Sequence, residues 1–88
     1  MRKIFKYPLD LVVKLPAANS LFYKVVKVDK QSGSPYLWIE LSDINQEKKD
    51  YIFQIFGTGH TIPALAEHCG TFFDEPFVWH VYDTTNCN

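Results

Sequence analysis

Short apolar runs, most of them β-branched or aromatic, recur between turn-forming clusters along this chain, and that cadence constrains the fold more than any other feature. The clearest run is "FVWHVYD" (77–83). Its period of two places Phe77, Trp79, Val81 and Asp83 on one side of a strand and Val78, His80 and Tyr82 on the other. "IFKYPL" (4–9) reads as an edge strand, because Pro8 has no N–H to give to a ladder. Leu9, Leu11, Val13 and Leu15 then alternate with Asp10, Val12 and Lys14, and Pro16 ends the run. After the turn "LPAANS" comes "LFYKVVKVDK" (21–30), where adjacent Val25 and Val26 imply either a bulge or burial on both faces.

"QSGSP" (31–35) suits a hairpin loop into "YLWIELSD" (36–43), and "INQEKKD" is a longer polar connection into "YIFQIFG" (51–57), a central strand. "IPALAEHC" (62–69) has the makings of about one and a half helical turns, with Pro63 near the start and Gly70 as terminator. "TFF" is a short strand and "DEP" a turn. The expected fold is mainly β, or α+β if the helix is counted. It is a small antiparallel sheet or open barrel of five to seven strands with one short helix near residues 63–69. Residues 1–84 form a single compact domain and 85–88 a polar tail.

Eighty-eight residues allow one domain that buries roughly 60 to 65% of the surface its unfolded chain exposes. Seven Phe, five Tyr and two Trp supply much of the apolar area. The apolar stretches are far shorter than a bilayer span, and Arg2-Lys3 leads into a strand-like segment instead of a signal-peptide core, so a cytoplasmic location is expected. Cys69 and Cys87 are too few for a disulfide framework and read as free thiols. The net charge of −1 argues against general binding to nucleic acid or membrane. Its distribution is uneven: residues 1–30 hold seven basic and two acidic side chains, residues 31–88 two basic and eight acidic. Strand order decides whether that contrast survives in space.

"FGTGH" (56–60) is the most unusual local sequence. Glycines permit positive φ and Thr58 can bond nearby backbone, which suits a corner leaving the sheet. A phosphate cradle would need a helix N-terminus directly after the glycines, with a Lys-Ser/Thr pair or a longer glycine pattern, and none follows. His60, His80 and Cys69 are the weak candidates for a metal site, which would require the corner, the helix and the last strand to converge. Cys69 as a nucleophile would need His60 or His80 beside it and a lowered thiol pKa. The neighbours Asp74 and Glu75 point apart in a turn and read as solvated. Tyr23, Tyr36, Trp38, Lys24 and Lys27 are candidates for a surface that stacks single-stranded nucleic acid. The acidic remainder and the demand of a small core for its rings weigh against that reading.

In order, "IFKYPL", "LP" before a strand, "LWIEL", "FGTGH", "GTF" and "FVWHVYD" resemble a family of small uncharacterised proteins encoded by bacteriophages and prophages. The resemblance spans nearly the whole chain. It implies viral origin and one compact domain, and marks Gly57, Thr58, Gly59 and His60, then Gly70 and Thr71, then Val78, Trp79 and His80. "LPAANSLFYKVV" departs from the family form, in which a Gly follows the Leu-Pro turn. It supplies no catalytic role.

The function expected from these readings is non-catalytic binding of a host protein, as a host-interaction or counter-defence inhibitor in the host cytoplasm. Gly57, Thr58, Gly59, His60, Trp79, His80, Trp38 and Tyr36 are the candidate binding residues, with no cofactor. An edge strand offers a route to a homodimer. Small-ligand or nucleotide capture at Gly57–His60 and single-stranded nucleic-acid binding are the alternatives, the latter ranked below protein binding.

Overall fold

The computed structural model describes residues 2–15, 23–42 and 49–87, so the turn expected at "LPAANS" and the loop expected at "INQEKKD" lie largely outside the described residues. Seven strands are present: β1 (Arg2–Pro8), β2 (Val12–Leu15), β3 (Tyr23–Gln31), β4 (Ser34–Ser42), β5 (Lys49–Gly57), β6 (Glu67–Asp74) and β7 (Phe77–Asp83). They form two antiparallel sheets, ordered β1-β4-β3 and β2-β5-β7-β6, that are not closed into a barrel. Among the described residues no helix is long and apolar enough to cross a membrane.

The chain changes sheets at Leu9–Leu11. Leu9 N–H donates to the Pro35 carbonyl beside β4, and the Leu11 carbonyl accepts from Phe53 N–H on β5. The alternating run expected from Leu9 therefore becomes a strand only at Val12. β3 and β4 meet in a two-residue turn, with Ser32 and Gly33 at φ of 54° and 85°. Two positive φ values mark the turn type whose twist matches the flanking strands. The Val25–Val26 pair is a bulge: the register to β4 shifts between Val25 and Lys27, which leaves Val26 40% exposed.

Side chains alternate as the strand period requires. Leu37, Ile39 and Leu41 of β4 point inward with no exposure and meet Val13 and Leu15 of β2, Phe53 of β5, Phe72 of β6 and Val81 of β7. β3 and β6 pack closely at Gly70, where an added Cβ would lie 2.7 Å from Val28 Cγ2. At the chain's end, Thr84 N–H donates to the Ile52 carbonyl and Thr85 Oγ1 accepts from Ile52 N–H, which ties the start of the polar tail to β5.

The short helix expected near residues 63–69 is not formed. Pro63 to Ala66 make a single turn, closed by Ala66 N–H donating to the Pro63 carbonyl, and β6 begins at Glu67. A helix this short gains too few hydrogen bonds to offset its nucleation. Glu67 and His68 pair instead with Asp83 and Tyr82 of β7. Gly70, expected to terminate the helix, lies inside β6 beside a bulge between His68 and Gly70, and "TFF" is part of the same strand.

Candidate functional site

The corner starts where β5 ends, with Gly57 opposite Trp79 and Phe56 opposite His80. β6 begins at the other end of β7, with Glu67 opposite Asp83. Residues 58–66 thus return the chain along the sheet, and β5 and β6 run parallel on either side of β7. The return is started by a tight reciprocal pair: His60 N–H donates to the Gly57 carbonyl, and Gly57 N–H donates to His60 Nδ1, both at 3.1 Å. With Nδ1 accepting, neutral His60 carries its proton on Nε2. Gly59 takes φ of 92° within the turn.

A side chain at Gly57 would crowd its neighbours. A Cβ there would stand 3.0 Å from His60 Cε1 and 3.3 Å from Trp79 Cζ3, so the imidazole and the indole edge meet over its bare Cα. Trp79 divides two clefts. One, of about 360 Å³, is lined by Gly57, Thr58, His60, Pro76, Phe77, Val78 and Trp79. The other, of about 410 Å³, is lined by Lys30, Gly33, Pro35, Ile55, Phe72, Asp74 and Trp79. A Lys30–Asp74 ion pair of 2.8 Å joins β3 to the end of β6 beside the second cleft. Ile55 and Phe77 share the inward face with Trp79 yet remain 43% and 56% exposed.

On the opposite face of the same sheet, hydroxyls and imidazoles form a chain. Thr58 Oγ1 lies 3.0 Å from His80 Nε2, Thr71 Oγ1 lies 3.1 Å from His80 Nδ1, and His68 Nε2 lies 3.3 Å from Thr71 Oγ1. His68 meets the Tyr82 ring edge-on at 5.1 Å, and Phe56 does the same at 5.7 Å. Both His80 nitrogens are engaged, so the side chain is fixed in orientation and acts as a base only by giving up a threonine. Thr58 spends its hydroxyl on this chain instead of on nearby backbone.

The candidate residues therefore fall on separate surfaces. Gly57, Thr58, Gly59, His60 and Trp79 meet at the corner, and His80 joins them through Thr58. Tyr36 and Trp38 lie away from it, on the outer face of the β1-β4-β3 sheet, with Lys6 Nζ 4.7 Å above the Tyr36 ring centre and Lys27 Nζ 5.1 Å above that of Trp38. Tyr23 points inward and donates to Asp83 Oδ2 at 3.1 Å. Cys69 sits by Tyr23 and Asp83, where burial first and the Asp83 charge second push its thiol up to about 12. That leaves it a protonated, weak nucleophile. Among the described residues no three His, Cys, Asp or Glu side chains gather as a metal site, and His60, His80 and Cys69 stay apart.

Sequence reading missed Lys6, Ile55 and Phe77, whereas Thr71, marked by the family resemblance, is the hydroxyl that joins His68 to His80. Lys6 has a signal only once β1 is known to pair with β4, which sets it opposite Trp38. Ile55 and Phe77 have the alternation of core residues, and nothing local marks them as uncovered.

A family model described as a domain of unknown function, DUF7352, matches residues 1–88. The chain belongs to the DUF7352 family. No similar curated protein and no similar solved structure was found. For this DUF7352 member the family match covers both the corner and the outer aromatic face, so either surface belongs to the domain itself.

Proposed function

We propose that this DUF7352 chain is a small phage-encoded binding protein, non-catalytic, that acts on a host protein in the host cytoplasm as a host-interaction or counter-defence inhibitor. Phage origin rests on the sequence resemblance. The binding role rests on one observation: Ile55 and Phe77 point toward the inter-sheet side, flank Trp79, and are left about half exposed beside two clefts. Apolar side chains grouped about a Trp make the kind of anchor that dominates interface energetics. His60 Nε2–H adds a directional donor at the rim. The matching partner offers an apolar side chain for the Trp79 cleft and a carbonyl or carboxylate for His60.

The test is capture from host lysate by the tagged chain, alongside Phe77→Ala, Ile55→Asp and His60→Ala variants of unchanged melting temperature. A stoichiometric host protein retained by the parent chain and lost from the variants supports the reading. Equal capture by all four chains rejects this site. No captured protein, together with a thermal shift on adding nucleotides, would move the corner to small-ligand binding; ligand at a hundred times its Kd adds about 2.7 kcal/mol.

A further inference from the structure

We propose that the outer face of the β1-β4-β3 sheet binds single-stranded nucleic acid, stacking bases on Tyr36 and Trp38 and holding phosphates with Lys6, Lys24 and Lys27. This goes beyond the corner and uses no residue of it.

Register assembles the surface. Residues opposite one another in an antiparallel pair share a face. Lys6 and Lys27 flank Trp38 from β1 and β3, Pro8 and Asp29 flank Tyr36, and Ile4 and Lys24 flank Glu40. The result is a central strand bearing two rings at alternate positions, with lysines on both sides. Tyr36 and Trp38 are partly exposed, and they project away from the fully buried Leu37, Ile39 and Leu41. The core therefore does not claim these rings. Their centres lie 6.3 Å apart with planes at 56°, which leaves each ring a face of its own.

Charge supports the same occupant. The three strands of this sheet hold six basic and two acidic side chains, of which Arg2, Lys6, Lys24 and Lys27 share the outer face with Asp29 and Glu40, against two basic and four acidic in the other sheet's four strands. The uneven distribution along the chain therefore survives folding, and the net charge of −1 hides a basic sheet. Glu40 pairs with Arg2 at 3.0 Å and Asp29 approaches Lys27 at 3.7 Å. Lys6 donates to Gln31 Oε1, and Lys24 has no ion-pair partner among the described residues. Lys6 and Lys27 rest on the ring faces that bases would take. An arriving base displaces an ammonium from a ring and delivers it to the adjoining phosphate, so both halves of each cation–ring contact find a new partner. An acidic polypeptide would satisfy the lysines but not the two rings; a strand of nucleotides satisfies both.

The experiment is fluorescence anisotropy of a fluorescein-labelled oligothymidylate ten nucleotides long, titrated with the full chain at several salt concentrations. Binding is expected, with a log–log salt slope of about −2 for about three phosphates neutralised. Trp38→Ala should weaken it about 5- to 150-fold, the cost of one stacked base. Trp38→Phe should retain most of the affinity. Lys6→Gln or Lys27→Gln should each reduce the slope by about 0.7. If Trp38→Ala fails to fold, the Phe and Gln variants carry the test alone. Absence of binding at low salt overturns the proposal, as does binding indifferent to both Trp38 and the lysines. Equal competition by polyglutamate would reassign the face to an acidic polypeptide, and equal competition by duplex DNA would make it a patch without strand preference; either result rejects base stacking.

Discussion

The two ends of the sandwich are built from the same strands and treated very differently. At the Tyr23 end the rings close on one another: Tyr23 stacks on Tyr51 at 4.9 Å, leans on Phe53 at 6.4 Å and gives its hydroxyl proton to Asp83. Thr84 and Thr85 then fasten the chain end to Ile52. At the Trp79 end Phe77 and Ile55 stand open. The contrast falls within one strand, since Phe53 and Ile55 share a face of β5 and are 2% and 43% exposed. The reason lies opposite them. Leu41 and Tyr23 supply apolar bulk at the closed end, whereas the β3–β4 hairpin lines the open one with Gly33, Pro35 and Lys30, whose ammonium is turned to Asp74. Alternation chooses a residue's face, and the size of what lies across the gap decides whether it is covered.

The sharpest way to break this comparison is to truncate both residues. Phe53→Ala should cost about 3–5 kcal/mol of unfolding free energy. Ile55→Ala should stay within about 1 kcal/mol, and similar losses in denaturant titrations would mean that the Trp79 end is closed in solution. Gly70→Ala comes next, at about 1–3 kcal/mol, because its Cβ would collide with buried Val28. Tyr23→Phe should cost about 0.5–1.5 kcal/mol through the lost bond to Asp83.

The closed end also sets an alkaline limit. Burial, aided by Asp83, raises the Tyr23 phenol far above its ordinary 10.0 and the Cys69 thiol from 9.0 to about 12. Above those ordinary values the unfolded chain releases protons that the folded chain keeps. Stability is therefore intact below pH 9 and falls as pH rises beyond it, first through Cys69 and then through Tyr23. A double variant Tyr23→Phe, Cys69→Ala should flatten the decline between pH 9 and 11, and an unchanged slope would place the responsible groups elsewhere. The smallest effect belongs to the open end: His60→Ala should change stability by less than about 1 kcal/mol, readable by thermal melting.

Much of this architecture is legible locally. The β cadence of five to seven strands, β1 as an edge, β5 as a central strand, the irregularity at Val25–Val26 and the hairpin at "QSGSP" follow from proline, glycine and period-two signals within a few residues, and the structure resolves the first to seven strands and the irregularity to a bulge. The helix at 63–69 is the local signal that misleads, because the ladder to β7 claims the chain from Glu67 onward and leaves Pro63–Ala66 a single turn, too short to nucleate a helix despite the helical preference of Ala64, Leu65 and Ala66. Partners distant in sequence are not legible. Nothing within "IFKYPL" says that β1 pairs with β4, so Lys6 beside Trp38 appears only with the sheet. The corner residues were readable by composition, and alternation separated Trp79 from His80. The clefts were not, since they arise from bulk missing on another hairpin.

β7 follows β6 in sequence but lies between β6 and β5 in space. During synthesis both neighbours leave the ribosome before the strand that joins them. Until the nascent chain delivers residues 77–83, all of β6 and one side of β5 hold unanswered backbone donors and acceptors, a template for foreign strands. The sheet is completed by a late wedge instead of by growth from an edge, so the half-made domain is the form most in need of a chaperone or of speed.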